Sequence, residues 1–358
     1  MFFEENKQRL EDFSRMSQTA GARADYVQGG GGNTSVKLAD GLMAIKASGF
    51  CLGDIRPDKA YAVLNYEDLR TFYRSNTPES LGDVEAEGSA CTKASTKTIE
   101  GLAQLRPSVE AGFHSVLKTF VLHTHSVYAN LAACSTACEE IAAKALAGAD
   151  YTYAVVPYVN PGAMLTFTIQ AAVAKVETET GKAPSVILMQ NHGIIAHDDD
   201  ADVCMAIHAD ANARLAHYFH LSANEFPHIH LRPLAAGIYG VHCPYLRSKL
   251  RNCCYSGASF VETPLYPDQM VFLIDAFYLD KDSIEEGQCV ASTKTGEMLL
   301  QMDGKKALTV AETVTAVLFI QDTIEKNGYT IATMGDAAKD FIANWESEKY
   351  RKSLAAKK

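Results

Sequence analysis

Two histidines, His123 and His125, stand one residue apart in the run Val121-Leu122-His123-Thr124-His125. Alternate side chains of a β-strand share a face, so the two imidazoles project side by side while Thr124 points the other way. That suits a metal ion gripped from a rigid element; it also suits a core strand whose rings are satisfied by hydrogen bonds. A third histidine, His192, lies in the bend Asn191-His192-Gly193 after an apolar strand, where packing alone explains it poorly. Three histidines leave room at a zinc-like ion for a carboxylate or water. Glu110 is the carboxylate candidate. Pro107 and Ser108 read as a helix start, which puts Glu110 in the first turn, where it serves either as a ligand or as a complement to the helix dipole.

A second group of residues points to an anion. Gly29 to Gly32 lead into Asn33, Thr34 and Ser35, and Ser48-Gly49 follows a short way on. Hydroxyls and amides beside glycines make nests for phosphate oxygens. The same glycines also fit a connector. They match neither the dinucleotide nor the P-loop pattern.

The elements that must position these groups alternate between helix and strand. The spacing predicts a helix over 3–20, a hairpin over 34–47 turning at Asp40-Gly41, and a strand at 61 running into a helix. Further helices are expected over 108–119, 126–148 (in two pieces), 166–179 and 199–223. Strands are expected at 120–125, 152–159 and 185–197, the last broken at 191–193. Such alternation gives an α/β layered domain, and the early hairpin implies a mixed sheet. Periodicity is lost near 222–240, where Pro227 and Pro233 stand. Beyond it a strand is expected at 270–279, a hairpin over 297–309 turning at Asp303-Gly304, a helix over 310–328, and a terminal helix at 335–350 with a basic end.

Of 358 residues, 47% are hydrophobic and 21% charged, as in ordinary globular proteins. The 33 basic residues against 43 acidic ones give a net charge of −10, which argues against nucleic acid as partner. No run is read as membrane-spanning. The first residues lack a signal-peptide pattern, so a cytoplasmic protein is expected. The nine cysteines, an odd number without zinc-finger spacing, read as reduced thiols. His208, His217, His220, His228, His230 and His242 read as core or surface residues.

Taken in order, the Gly-Asn-Thr-Ser loop, the Ser-Gly, the Pro-Ser-x-Glu helix start, the His-x-His strand and the Asn-His-Gly bend resemble the class II aldolase/adducin family over about residues 5–222. The resemblance implies a layered α/β/α sandwich with a mixed, mainly antiparallel central sheet in a catalytic domain of residues 1–224. A smaller α+β domain of residues 225–358 would follow. It implies a divalent ion, expected to be zinc, held by His123, His125 and His192, with Glu110 as ligand or base. It also implies a sugar phosphate bound by Asn33, Thr34, Ser48, Gly49 and Ser108. Val109 departs from the family's Ser-Ser pair and removes one hydroxyl. The activity implied is retro-aldol cleavage of a ketose phosphate in a homo-oligomer, a tetramer by family habit, with a neighbouring subunit's tyrosine protonating the leaving aldehyde. Tyr128, Tyr151, Tyr153 and Tyr158 are the candidates weighed for that role. An epimerase, decarboxylase or dehydratase on the same site, and a scaffold without catalysis, are the alternatives.

Overall fold

A computed structural model of the chain describes residues 2–251, 260 and 262–344. Eight strands form its main sheet: β1 (Asn33–Lys37), β2 (Leu42–Lys46), β3 (Tyr61–Asn65), β4 (Thr96–Lys97), β5 (Phe120–Thr124), β6 (Tyr153–Val156), β7 (Val186–Met189) and β8 (Gly193–Asp198). Their order is β4-β3-β2-β1-β5-β8-β7-β6. Every pairing is antiparallel except β6 with β7. This is the mixed, mainly antiparallel sheet that was expected.

Strand alternation divides the apolar residues between two faces. Phe120 and Leu122 of β5, with Ile194 and Ala196 of β8, face the helices Lys7–Gly21, Val127–Ala133 and Ala201–Tyr218. Val121 and Ile195 face the helices Ala111–Val116 and Ala163–Thr180. Helices on both faces make the α/β/α sandwich. Local chemistry fixes their starts. Asn65 accepts from the amides of Glu67 and Asp68 to cap Tyr66–Ser75, and Asp200 accepts from those of Asp202 and Val203 to cap Ala201–Tyr218. The β1–β2 hairpin turns where Asp40 and Gly41 both take positive φ, as its Asp-Gly implies.

A smaller sheet follows, from β9 (His230–Ala235), β10 (Ile238–His242), β11 (Phe277–Leu279), β12 (Gln288–Ala291) and β13 (Met298–Gln301), in the order β11-β12-β13-β10-β9. Two expectations fail here. The run 270–279 is a strand only at its end, because Pro267–Leu273 is helical with Pro267 at its start. Residues 297–309 are no hairpin. Asp303 accepts from the amides of Lys305 and Lys306 and so caps the helix Gly304–Lys326 rather than making a turn. That helix is long and apolar enough to cross a membrane, contrary to the reading that no run is, but 78% of its apolar stretch is buried inside the protein as a core helix. It shares one apolar cluster with the first sheet, and Tyr128 and Phe319 meet edge-to-face at 6.4 Å. The described cysteines are free thiols. The terminal helix is described as Asp336–Asn344. Cys253, Cys254 and the basic end lie outside the described residues.

Candidate metal centre

The register of three strands builds the site. Asn33 of β1 lies opposite His123 of β5, and His123 lies opposite Ile195 of β8. His125 follows β5 directly, and His192 precedes β8 in the bend after β7. Gly193 makes the approach possible: a Cβ there would lie 2.3 Å from the Thr124 carbonyl oxygen. Asn191 takes φ +50, a conformation Asn tolerates, and its amide donates to the carbonyls of Leu265 and Ala332 at 2.9 Å each. The glycine run is packed in the same way. A Cβ on Gly32, which has φ +65, would lie 2.5 Å from the His123 carbonyl oxygen. The connector reading of that run therefore fails.

The three rings meet. Their ligating atoms lie within 4.8 Å of one another, and all three residues are buried. His123 Nδ1 lies 3.0 Å from the Ile194 carbonyl, which can only accept, so Nδ1 carries the proton. His125 Nδ1 lies 2.6 Å from a carboxylate oxygen of Asp268 and is a donor on the same ground. Burial holds the His123 ring neutral, its pKa well below the ordinary imidazole value, against the pull of Glu110. Each Nε2 is left to offer a lone pair, and the two Nε2 atoms face each other at 3.2 Å. Facing lone pairs in a buried site call for a cation.

Glu110 closes the cluster. The helix begins at Ala111, later than expected, and Glu110 stands at its cap position without capping it. Its side chain turns to the histidines. Oε2 accepts from Asn33 Nδ2 at 2.5 Å, and Oε1 lies 3.3 Å from His192 Nε2. Oε1 is buried and has no hydrogen-bond partner among the described residues. Burial pushes this carboxyl up, but the imidazoles of His123, His192 and His125 outweigh it and leave the pKa well below the usual carboxylate range. Three imidazole nitrogens converging beside one buried carboxylate oxygen fit a divalent cation.

The proposed anion-binding residues divide. Asn33 Nδ2 also donates to Ser108 Oγ at 3.2 Å, so Asn33 and Ser108 adjoin Glu110. Ser48 and Gly49 come beside Ser108 through the bridge between Ala47 and Pro107 and the bond from Ser48 N to the Arg106 carbonyl. The buried Lys46 donates to the carbonyls of Gly30 and Phe50, tying the glycine run to the Ser48-Gly49 loop. Thr34 points the other way: its hydroxyl pairs with Ser17 at 2.7 Å on the opposite face of β1. The tyrosines are mostly engaged elsewhere. The Tyr128 hydroxyl accepts from Phe226 N and Tyr151 donates to Asp210, while the buried Tyr158 hydroxyl has no partner among the described residues.

Two further side chains of the site did not stand out in the sequence. His114 stacks on Phe113 at 4.6 Å, hydrogen-bonds Asn33 Oδ1, and has its Nδ1 2.7 Å from Ser35 Oγ. Burial lowers its pKa to about 3. The neutral ring donates to Asn33 Oδ1, which turns the Asn33 amide nitrogen toward Glu110. His114 lies one helical turn after Glu110, a spacing that could have flagged it. Asp268 is 143 residues from His125 and carries no such signal.

The family model of the class II aldolase and adducin N-terminal domain matches residues 15–215, more than half of the chain. No curated protein matches. Among solved structures, the chain is similar to the N-terminal class II aldolase domain of a conserved protein from Thermoplasma acidophilum, with 22% identity, a TM-score of 0.48, and coverage of 58% of this chain and 92% of that one. It is similar to L-fuculose-1-phosphate aldolase from Thermus thermophilus, with 18% identity, a TM-score of 0.35, and coverage of 60% and 94%. It is also similar to a sugar-phosphate aldolase from Thermotoga maritima, with 12% identity, a TM-score of 0.42, and coverage of 60% and 94%. With its strand order, its buried histidine cluster and a family match over residues 15–215, this chain belongs to the class II aldolase and adducin family.

Proposed function

We propose that this protein is a metal-dependent aldolase that cleaves a ketose phosphate by retro-aldol reaction. The observation that carries this is the closure of His123, His125 and His192 around one point with Glu110 at hand. In this reading the three histidines hold a divalent ion, expected to be zinc, whose chemistry is Lewis acidity toward the substrate's oxygens and the developing enolate charge. In this reading Glu110 Oε1, buried and without a hydrogen-bond partner among the described residues, takes and returns a proton. Asn33 holds the other oxygen of Glu110 and so aims the first. Asn33, Ser108, Ser48 and Gly49 form the anion pocket, and Thr34 is left out of it. In this reading residues 1–224 are the catalytic domain and 225–358 a C-terminal domain, in a cytoplasmic homo-oligomer.

The test is metal analysis of the purified protein with a retro-aldol assay on a panel of ketose phosphates. A bound divalent ion and its loss with activity in His123→Ala are expected. Metal-free protein whose His123→Ala form keeps full activity overturns the reading. Val109, where the family has a second serine, favours one further arm. The same panel scored for epimerised, decarboxylated or dehydrated products separates aldolase from the other reactions of such a site.

A further inference from the structure

We propose that Asp268, from the C-terminal region, is a positioning residue of the metal centre: it fixes the ring of His125 so that the three-histidine site binds its cation. The proposal rests on the metal-site reading above and adds a role for the chain beyond residue 224.

The contact is specific. Asp268 Oδ2 lies 2.6 Å from His125 Nδ1, and both residues are buried. Taking a carboxylate out of water is costly unless it is paired, and among the described residues the Nδ1–H of His125 is its partner. That bond sets the tautomer with the proton on Nδ1, which leaves the Nε2 lone pair for the cation. A carboxylate on the far nitrogen also makes an imidazole a more basic ligand. His123 has only a backbone carbonyl in the equivalent place, so Asp268 brings a charge that the catalytic domain does not supply.

The surroundings are shaped for this contact. A Cβ on Gly31 would lie 2.2 Å from Asp268 Oδ2 and 2.9 Å from His125 Nδ1, so the missing side chain of Gly31 is what lets the two meet. The segment that carries Asp268 is also tied down next to the ligands. Asn191, neighbour of His192, donates to the Leu265 carbonyl, and the Tyr266 ring stands edge-on to His125 with centroids 6.3 Å apart. The C-terminal segment thus touches both stretches that carry the ligands, the end of β5 and the bend before β8.

The test measures Zn2+ affinity of the full chain by competition with a chromophoric chelator, together with the melting temperature of the metal-free protein. Asp268→Ala is expected to weaken Zn2+ binding 10- to 100-fold with little change in the metal-free melting temperature. Asp268→Asn keeps an acceptor for the Nδ1–H and is expected to fall between Ala and wild type. Gly31→Ala, which leaves Asp268 in the chain but displaces its carboxylate, is expected to weaken binding too. If Asp268→Ala does not fold, Asp268→Asn and Gly31→Ala still measure the loss of affinity. Variants that all bind Zn2+ within twofold of wild type overturn the proposal and leave the metal site standing. Wild-type protein that binds no Zn2+ overturns the metal site itself.

Discussion

At the scale of single residues, Glu110 and Asn33 act as a pair. Asn33 Nδ2 donates to Glu110 Oε2, and His114 holds the far side of the Asn33 amide. In Glu110→Gln the new amide must keep its oxygen toward Asn33, because two NH2 groups cannot face each other. The nitrogen then points at His192 Nε2, where a neutral N–H cannot take up a proton. We expect kcat to fall about 10²- to 10⁴-fold, with the fold retained by circular dichroism and melting. Unchanged kcat would remove Glu110 from the chemistry. His123, His125, His192 and Glu110 stood out in the sequence as candidates, the pair through strand parity, but each alone also fitted a structural role, and only the order of the motifs, which resembles the family, singled them out together. Parity read one residue further would have excluded Thr34, since Asn33 and Ser35 share the face of β1 that meets His114. Asp268 was not legible, because its role depends on a tertiary approach with no local periodicity.

At the scale of elements, the approach of β5 to β8 sets the distance between the paired histidines and His192. Gly193 stands at that seam, and an added Cβ would press on the Thr124 carbonyl at 2.3 Å and on His125 Cα at 3.2 Å. Both atoms belong to backbone that cannot rotate away. Gly193→Ala is therefore expected to cost about 1–3 kcal/mol, as overpacking does, and to weaken metal binding in the same variant. Gly53 is the control: a Cβ there has no heavy atom within 4 Å. Gly53→Ala is expected to leave both melting temperature and metal affinity near wild type, and equal behaviour of the two variants would show that the seam is slack. The elements around this seam were readable from hydrophobic period alone. The misreadings fell on ambiguous punctuation. Asp303-Gly304 fits a hairpin turn and a helix cap equally well, and only the long apolar helix after it decides for the cap. The apolar run at 270–279 fits either period, and Pro267 starts it as a helix.

At the scale of the whole molecule, buried histidines in separate elements make stability depend on pH. Burial lowers the pKa of His114 and His208 to about 3 and that of His197 to about 4, from an ordinary value of 6.5. The unfolded chain takes up these protons near pH 6.5 while the folded chain refuses them. Stability is therefore full above 6.5 and is lost as pH falls toward 4. At pH 5.5 each histidine costs about 1.4 kcal/mol, together about 4 kcal/mol. His123 moves in the same direction. Glu312 opposes them. Burial raises its carboxyl to about 7, so the folded chain gains a proton that the unfolded chain, near 4.5, does not. That returns about 2 kcal/mol at pH 5.5. The expected net loss between pH 7.5 and 5.5 is about 2 kcal/mol or more, read as a lower melting temperature in chelator-treated protein. Glu312→Gln removes the opposing group and should steepen the fall by a comparable amount. A melting temperature that stays flat or rises on acidification, or a Glu312→Gln slope equal to wild type, would mean that these rings and this carboxyl are open to water.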